Sequence, residues 1–215
     1  MKKIAKILGL IKKQTLPFTV PSVTKVSHKD DPYQVLISCI LSLRTKDKTT
    51  IEASQRLFAV AGSPGSMVKL PVLRIERLIY HVGFFRTKAR VIREINRRLI
   101  KDFNSKVPDD PEAILSLKGV GRKTANLVLG LGFNIPAICV DTHVHRISNR
   151  LGWVRTKKPE STEEALKKIV PRNLWIDLNT ILVTFGQNIC VPVSPFCSKC
   201  SVSVLCKRIG VVKHR

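Results

Sequence analysis

An all-α fold is predicted for this 215-residue chain on three observations. Apolar residues recur at helical spacing between breaks marked by Pro and Gly, as at Ile92, Ile95 and Leu99. No segment sustains the apolar/polar alternation that a half-buried strand needs. Two breaks also pair a capping Asp with a Pro at the first helical position, at Asp31-Pro32 and Asp110-Pro111.

In chain order, Met1 to Lys13 reads as a basic amphipathic helix. Its apolar stretch Ile7–Ile11 is too short for a signal peptide, and no small-residue cleavage site follows. A two-proline linker, Leu16 to Pro21, leads to the helix that Asp31 caps. The body of that helix, Tyr33 to Leu43, is nearly all apolar, which predicts a central, buried element with Cys39 as a core thiol. It stops at an abrupt polar patch, Arg44-Thr45-Lys46-Asp47-Lys48. A helix from Thr49 to Val60 follows, and Ala61 to Ser66 is read as the break after it.

A short helix over Val72–Tyr80 ends near Gly83, with the aromatic pair Phe84-Phe85 at the break. Lys88 to Phe103 is a basic amphipathic helix with Ile92, Ile95, Leu99 and Ile100 expected inward. The helix started by Pro111 enters a turn at Gly119, and the next helix ends around Gly130–Gly132. Ile135 to Val140 bridges to Asp141 and a helix over Thr142–Leu151. A capping box, Ser161-x-x-Glu164, and a helix over Leu174–Phe185 complete the reading, with no internal repeat.

Composition narrows the partners. Hydrophobic content of 44% with 25% charged residues is that of a soluble globular protein. No apolar run approaches the ~20 residues of a membrane span. Against 15 Asp+Glu stand 38 Lys+Arg, a net charge of +23, spread along the chain rather than held in one tail. Such a field selects a polyanion, nucleic acid before an anionic membrane surface.

Three constellations carry chemistry. Gly119-Val120-Gly121-Arg122-Lys123 is a glycine-bracketed turn opening into a helix, so successive backbone N–H groups and the helix dipole favour a phosphate. An ordinary helix corner with two solvated basic residues would look the same in isolation. Lys123, at a helix start in a strongly cationic protein, is expected to deprotonate more easily than a free lysine, and such an amine can form a Schiff base. Asp141 precedes Thr142-His143-Val144-His145-Arg146 and by itself reads as an N-cap. His143 and His145, at i and i+2, face different sides of a helix and read as hydrogen-bonding or phosphate-facing groups rather than a metal pair. Finally, Cys190, Cys197, Cys200 and Cys206 crowd one short loop with Pro192 and Pro195. Four thiolates so spaced bind Zn²⁺ or an iron–sulfur cluster, in a reducing compartment; spacing does not choose between them.

The Gly119–Asn126 motif, the Val140-Asp141-Thr142-His143-Val144-His145-Arg146 motif and the four-cysteine loop together resemble endonuclease III, a family of helix-hairpin-helix DNA glycosylases with AP lyase activity. The likeness runs from about Asp31 to Cys206, with each motif in order. It implies a two-lobed, all-α helix-hairpin-helix DNA glycosylase fold. A six-helix bundle lobe over 25–135 would hold the hairpin at about 111–130. Residues 1–24 with 136–215 would form the iron–sulfur-cluster lobe. The resemblance makes Lys123 the nucleophile on the anomeric sugar carbon and Asp141 the carboxylate that stabilises the oxocarbenium charge. Gly119, Val120, Gly121, Arg122 and His143 would contact DNA. Arg44 and Phe84 fall where the family inserts side chains into the duplex; many members carry glutamine in place of Arg44. Cys190, Cys197, Cys200 and Cys206 would ligate a [4Fe–4S] cluster, in a loop whose Lys199, Lys207 and Arg208 can touch phosphates.

The implied function is a bifunctional glycosylase/AP lyase of base excision repair, excising oxidised pyrimidines and nicking by β-elimination. Its partner would be double-stranded DNA with a damaged base or an abasic site. The protein is expected to be a monomer away from membranes, in the cytoplasm with the nucleoid. Two other readings compete: a mismatch glycosylase for uracil, thymine or adenine, whose members generally lack lysine at the position of Lys123, and a non-catalytic iron–sulfur DNA-binding module.

Overall fold

The computed structural model describes residues 2–26 and 31–215. Of the bundle lobe expected over 25–135, residues 27–30 therefore lie outside the described residues. Among the described residues there is helix and turn and no strand. The chain divides into two compact units, Ser22–Ile135 and Met1–Pro21 with Pro136–Arg215.

The first unit begins with α2 (Ser22–Val26), α3 (Pro32–Ser42), α4 (Asp47–Val60), α5 (Pro64–Lys69) and α6 (Val72–Leu78); α7 (Phe85–Asp102), α8 (Pro111–Leu115) and α9 (Arg122–Leu127) follow. α9 runs on into one turn of π-helix, Val128–Gly132. As the apolar run predicts, α3 is central: Val35, Leu36, Ile37, Ile40 and Leu41 are buried, and so is Cys39. The Asp31 carboxylate caps it by accepting from the Gln34 N–H at 3.0 Å, with Pro32 in the first turn. Burial drives the Cys39 thiol up to about 12, with the nearby Lys123 charge opposing, so it is an inert core thiol at neutral pH. α3 also packs against the π-turn, where Gly132 permits a close approach: a Cβ there would stand 2.7 Å from Pro32 Cα.

Two local expectations are corrected here. The break after α4 is only Ala61–Ser63, because Ser63 and Ser66 form a reciprocal capping box that starts α5 at Pro64. In α7 the inward stripe runs through Lys88, Ala89, Ile92, Ile95, Asn96 and Leu99. Ile100, one residue round the helix from Leu99, stays 38% exposed instead of turning inward. Asn96 is satisfied within that core, accepting from the Tyr33 hydroxyl at 2.8 Å and donating to Ile92 O at 2.7 Å.

The second unit packs α1 (Lys2–Thr15), α10 (Thr142–Arg150), α11 (Pro159–Ile169) and α12 (Trp175–Asn188) around one core. Ile7, Leu8 and Ile11 supply the apolar face of α1, meeting Val144, Ile147, Leu166, Leu178, Leu182 and Phe185. The Ser161–Glu164 box does not form. α11 starts two residues earlier, with Pro159 at its first turn and Lys158 as an N-cap without a side-chain bond. The Thr162 hydroxyl turns inward to His145 Nδ1 (2.6 Å). Cys139 is buried beside Asn179, which donates to its carbonyl at 3.2 Å and its sulfur at 3.4 Å.

Candidate active site

In the first unit, α8, a turn and α9 form a helical hairpin. Asp110 caps α8 by accepting from the Ala113 N–H at 2.8 Å. The turn is closed by Val120 N–H to Leu117 O at 3.1 Å. Gly119 sits at φ +77°, where a side chain would be strained, and a Cβ would meet Val91 at 3.0 Å. Gly121 is extended and has open space around its Cα. Gly119, Gly121, Arg122 and Lys123 are all exposed, while the next two residues, Thr124 and Ala125, are buried and anchor the helix. The turn thus presents backbone and two cations to solvent on a rigid support.

Arg44 and Phe84 occupy two tight turns of the same unit. Both are left-handed, at φ +53° and +59°, an uncommon conformation for non-glycine residues. Phe84 is 63% exposed, and the Arg44 guanidinium lies 5.6 Å from its ring centroid.

In the second unit, Asp141 is the N-cap of α10. Its Oδ1 accepts from the N–H groups of His143 and Val144, both at 2.9 Å. His143 Nδ1 lies 3.1 Å from Arg146 Nη2. Since a guanidinium only donates, Nδ1 is the acceptor and the His143 proton is on Nε2. Gly186 makes this packing possible, since a Cβ would approach His143 Nδ1 to 2.5 Å. Arg146 continues to Cys190 O at 2.8 Å and Gly186 O at 3.1 Å, and burial lowers its pKa from the usual guanidinium value.

Cys190, Cys197, Cys200 and Cys206 line one apolar cavity with Ile147, Leu151 and Phe185. Among the described residues, no three or more His, Cys, Asp or Glu are drawn tightly enough together to hold a metal ion. Burial pushes the Cys200 thiol up to about 11 and raises Cys206, and the neighbouring cysteines add to both shifts. Two other residues that line the cavity donate to sulfur: Arg150 Nη1 to Cys190 Sγ and the Arg208 N–H to Cys206 Sγ, each at 3.4 Å. Four thiols along one apolar cavity, two of them with N–H donors at sulfur, are the donor set that an iron–sulfur or zinc group takes as thiolates.

Sequence reasoning missed Arg150, Lys88 and Thr45. Arg150 had a visible signal: with Arg146 it makes an i, i+4 pair, which must share one face of α10. Lys88 had none, since a lysine in a basic amphipathic helix reads as solvated.

An exposed hairpin turn on an all-α scaffold, with a lysine beginning its second helix and a four-cysteine loop elsewhere, defines a helix-hairpin-helix protein with a cysteine-rich loop. The family model described as "HhH-GPD superfamily base excision DNA repair protein" matches residues 37–172. The chain is 50% identical to Endonuclease III of Thermotoga maritima over 182 residues, covering 84% of this chain and 85% of that protein. To Endonuclease III of Escherichia coli it is 35% identical over 187 residues, covering 87% and 89%. It spans 61% of the longer Endonuclease III-like protein 1 of Mus musculus, at 42% identity over 84% of its own length. Among solved structures, a trapped endonuclease III–DNA covalent intermediate superposes with a TM-score of 0.85 at 34% identity, over 96% of this chain and 95% of that one. A thermostable thymine-DNA glycosylase gives 0.82 at 29%, over 95% and 94%. The chain belongs to the endonuclease III family, within the HhH-GPD superfamily of base excision DNA repair proteins.

Proposed function

We propose that this chain is a bifunctional DNA glycosylase and AP lyase that removes oxidised pyrimidines from duplex DNA. One observation carries the reading. Lys123 stands exposed at the start of the second hairpin helix, in a chain similar over 96% of its length to an endonuclease III caught covalently bound to DNA.

The damaged nucleotide must first leave the stack, at a cost of a few kcal/mol. Backbone N–H groups of Gly119 and Gly121, with Arg122, grip a phosphate beside it. Phe84 and Arg44 fill the vacated space and hold the duplex kinked. The Lys123 amine then attacks the anomeric carbon, the glycosidic C–N bond breaks, and the base leaves with a proton. Asp141 stabilises the developing positive charge. Its Oδ1 is engaged by two amides, leaving Oδ2 to exchange a proton. The anomeric carbon's bond to the ring oxygen then breaks, the ring oxygen taking a proton, and the resulting imine acidifies the adjacent sugar C–H. Loss of that proton breaks the 3′ C–O bond and nicks the strand, and water then releases Lys123.

Cys190, Cys197, Cys200 and Cys206 would hold a [4Fe–4S] cluster, which supplies a rigid cross-link for the loop. That loop presents Lys199, Lys207 and Arg208, all exposed, to the DNA backbone. The net charge of +23 makes binding strongly salt-dependent.

The likeness to a thymine-DNA glycosylase supports one alternative, base removal without a nick. Duplexes carrying one thymine glycol or one abasic site, labelled at the 5′ end, separate the two. Base release from thymine glycol, with a β-elimination product from both substrates, is expected. Base release with intact abasic strands would establish the alternative.

A further inference from the structure

The hydrogen bonds of one buried lysine bear on how the Arg44 and Phe84 turns are held. Lys88 lies in the first turns of α7 and is only 6% exposed. Its ammonium has three donors and finds three oxygens: Leu41 O at 2.8 Å, Leu43 O, and Thr45 Oγ1 at 3.1 Å. The two carbonyls belong to the last turn and C-cap of α3, where a cation is favoured by the helix dipole and by carbonyls without helical partners. Arg44 stands between Leu43 and Thr45, so the residues on both sides of it are bound by one charge.

Thr45 extends the connection. Its hydroxyl donates to Leu43 O at 3.2 Å and accepts from Lys88 Nζ and from the Gly83 N–H at 3.1 Å, which uses its full capacity. Gly83 adjoins Phe84, and a Cβ at Gly83 would approach Arg44 O to 2.5 Å, so only glycine lets the turns abut. The backbone closes the loop, with the Lys88 N–H donating to Phe84 O at 3.0 Å. Two left-handed turns distant in sequence are thus fixed to each other through Lys88, Thr45 and Gly83. Each left-handed residue is costly alone and persists because its surroundings over-determine it.

We propose that Lys88 is a positioning residue whose buried ammonium ties the Arg44 turn to the Phe84 turn, so that both side chains enter DNA as one preformed wedge. This rests on the proposed reading in which those two side chains fill the flipped-out space. Preorganisation removes the cost of ordering two separate side chains at the moment of binding. Burial lowers the pKa of Lys88 to about 8, so the ammonium holds its three acceptors fully only below that pH.

The test compares wild type, Lys88→Met and Thr45→Val on an abasic site in a duplex and in a single strand. A single strand has no stack to hold open, so only the duplex needs the wedge. Lys88→Met is expected to lower the duplex-to-single-strand rate ratio by roughly tenfold, the effect of orphaning buried acceptors. Thr45→Val is expected to lower it less, in the same direction. In parallel, 2-aminopurine opposite the abasic site reports unstacking without any catalysis. Its fluorescence rise on binding should be present with wild type and lost with Lys88→Met. An unchanged ratio and unchanged fluorescence in a folded Lys88→Met, or equal losses on both substrates, would overturn the inference. If that variant does not fold, an unchanged ratio and fluorescence in Thr45→Val overturn it. A wild type that unstacks the base but cleaves neither substrate would remove the lyase reading and leave the wedge standing.

Discussion

Arg150 Nη1 donates to Cys190 Sγ at 3.4 Å, from a side chain that also holds Val191 O at 2.8 Å and Pro192 O at 2.6 Å. The other end of the loop returns to the same residue, with Cys206 Sγ donating to Arg150 O at 3.5 Å. A single residue near the end of α10 therefore fastens both ends of the four-cysteine loop.

Removing it should loosen whatever the loop holds. Arg150→Met keeps the length of the side chain and orphans two carbonyls and one sulfur. Loss of such outer-shell partners costs roughly 10–100-fold in metal affinity. With the proposed [4Fe–4S] cluster in the loop, iron release to a chelator, followed by visible absorption, should be at least roughly tenfold faster than in wild type. Equal release rates would mean that Arg150 is a packing residue only.

Asp141 separates stability from chemistry. Asn and Asp cap helices about equally well, so Asp141→Asn should unfold within about 0.5 kcal/mol of wild type in urea. The amide carries no charge and exchanges no proton, so base excision should fall by roughly 100-fold or more. A parallel loss of stability and activity would show that the cap alone accounts for the residue.

Lys88 gives stability a specific pH dependence. Its pKa falls from about 10.4 in the unfolded chain to about 8 in the fold. Below about pH 8 both states are charged and the burial penalty is complete. Between there and about 10.4 the unfolded state binds more protons, so this penalty is relieved as pH rises. The stability difference between wild type and Lys88→Met should shift towards wild type by on the order of 2 kcal/mol from pH 7.5 to 9.5. A pH-independent difference would place the ammonium in water.

Much of this was legible in the sequence because local chemistry determines it. Asp31-Pro32 and Asp110-Pro111 start helices for reasons contained in four residues. The Gly119 turn needs positive φ, and Gly119 supplies it. The four thiols are close in sequence, so they line one cavity. Competing local signals misled: Ser161 and Glu164 match a capping box, but Pro159 begins the helix first. Long-range pairing was invisible. Lys88 reads as one more cation in a basic helix until the α3 carbonyls arrive beside it. The left-handed geometry of Phe84 was equally hidden, since positive φ is expected at the neighbouring Gly83 and not at an aromatic residue.

The central claim, that Lys123 is the nucleophile of a glycosylase/lyase, is tested most directly by borohydride trapping. Wild type and Lys123→Ala are each mixed with a duplex carrying one abasic site or one thymine glycol, and reduced. A covalent protein–DNA adduct with wild type on both substrates, absent with Lys123→Ala, is the predicted result. An equal adduct with Lys123→Ala, or none with wild type while it still binds the duplex, would contradict it.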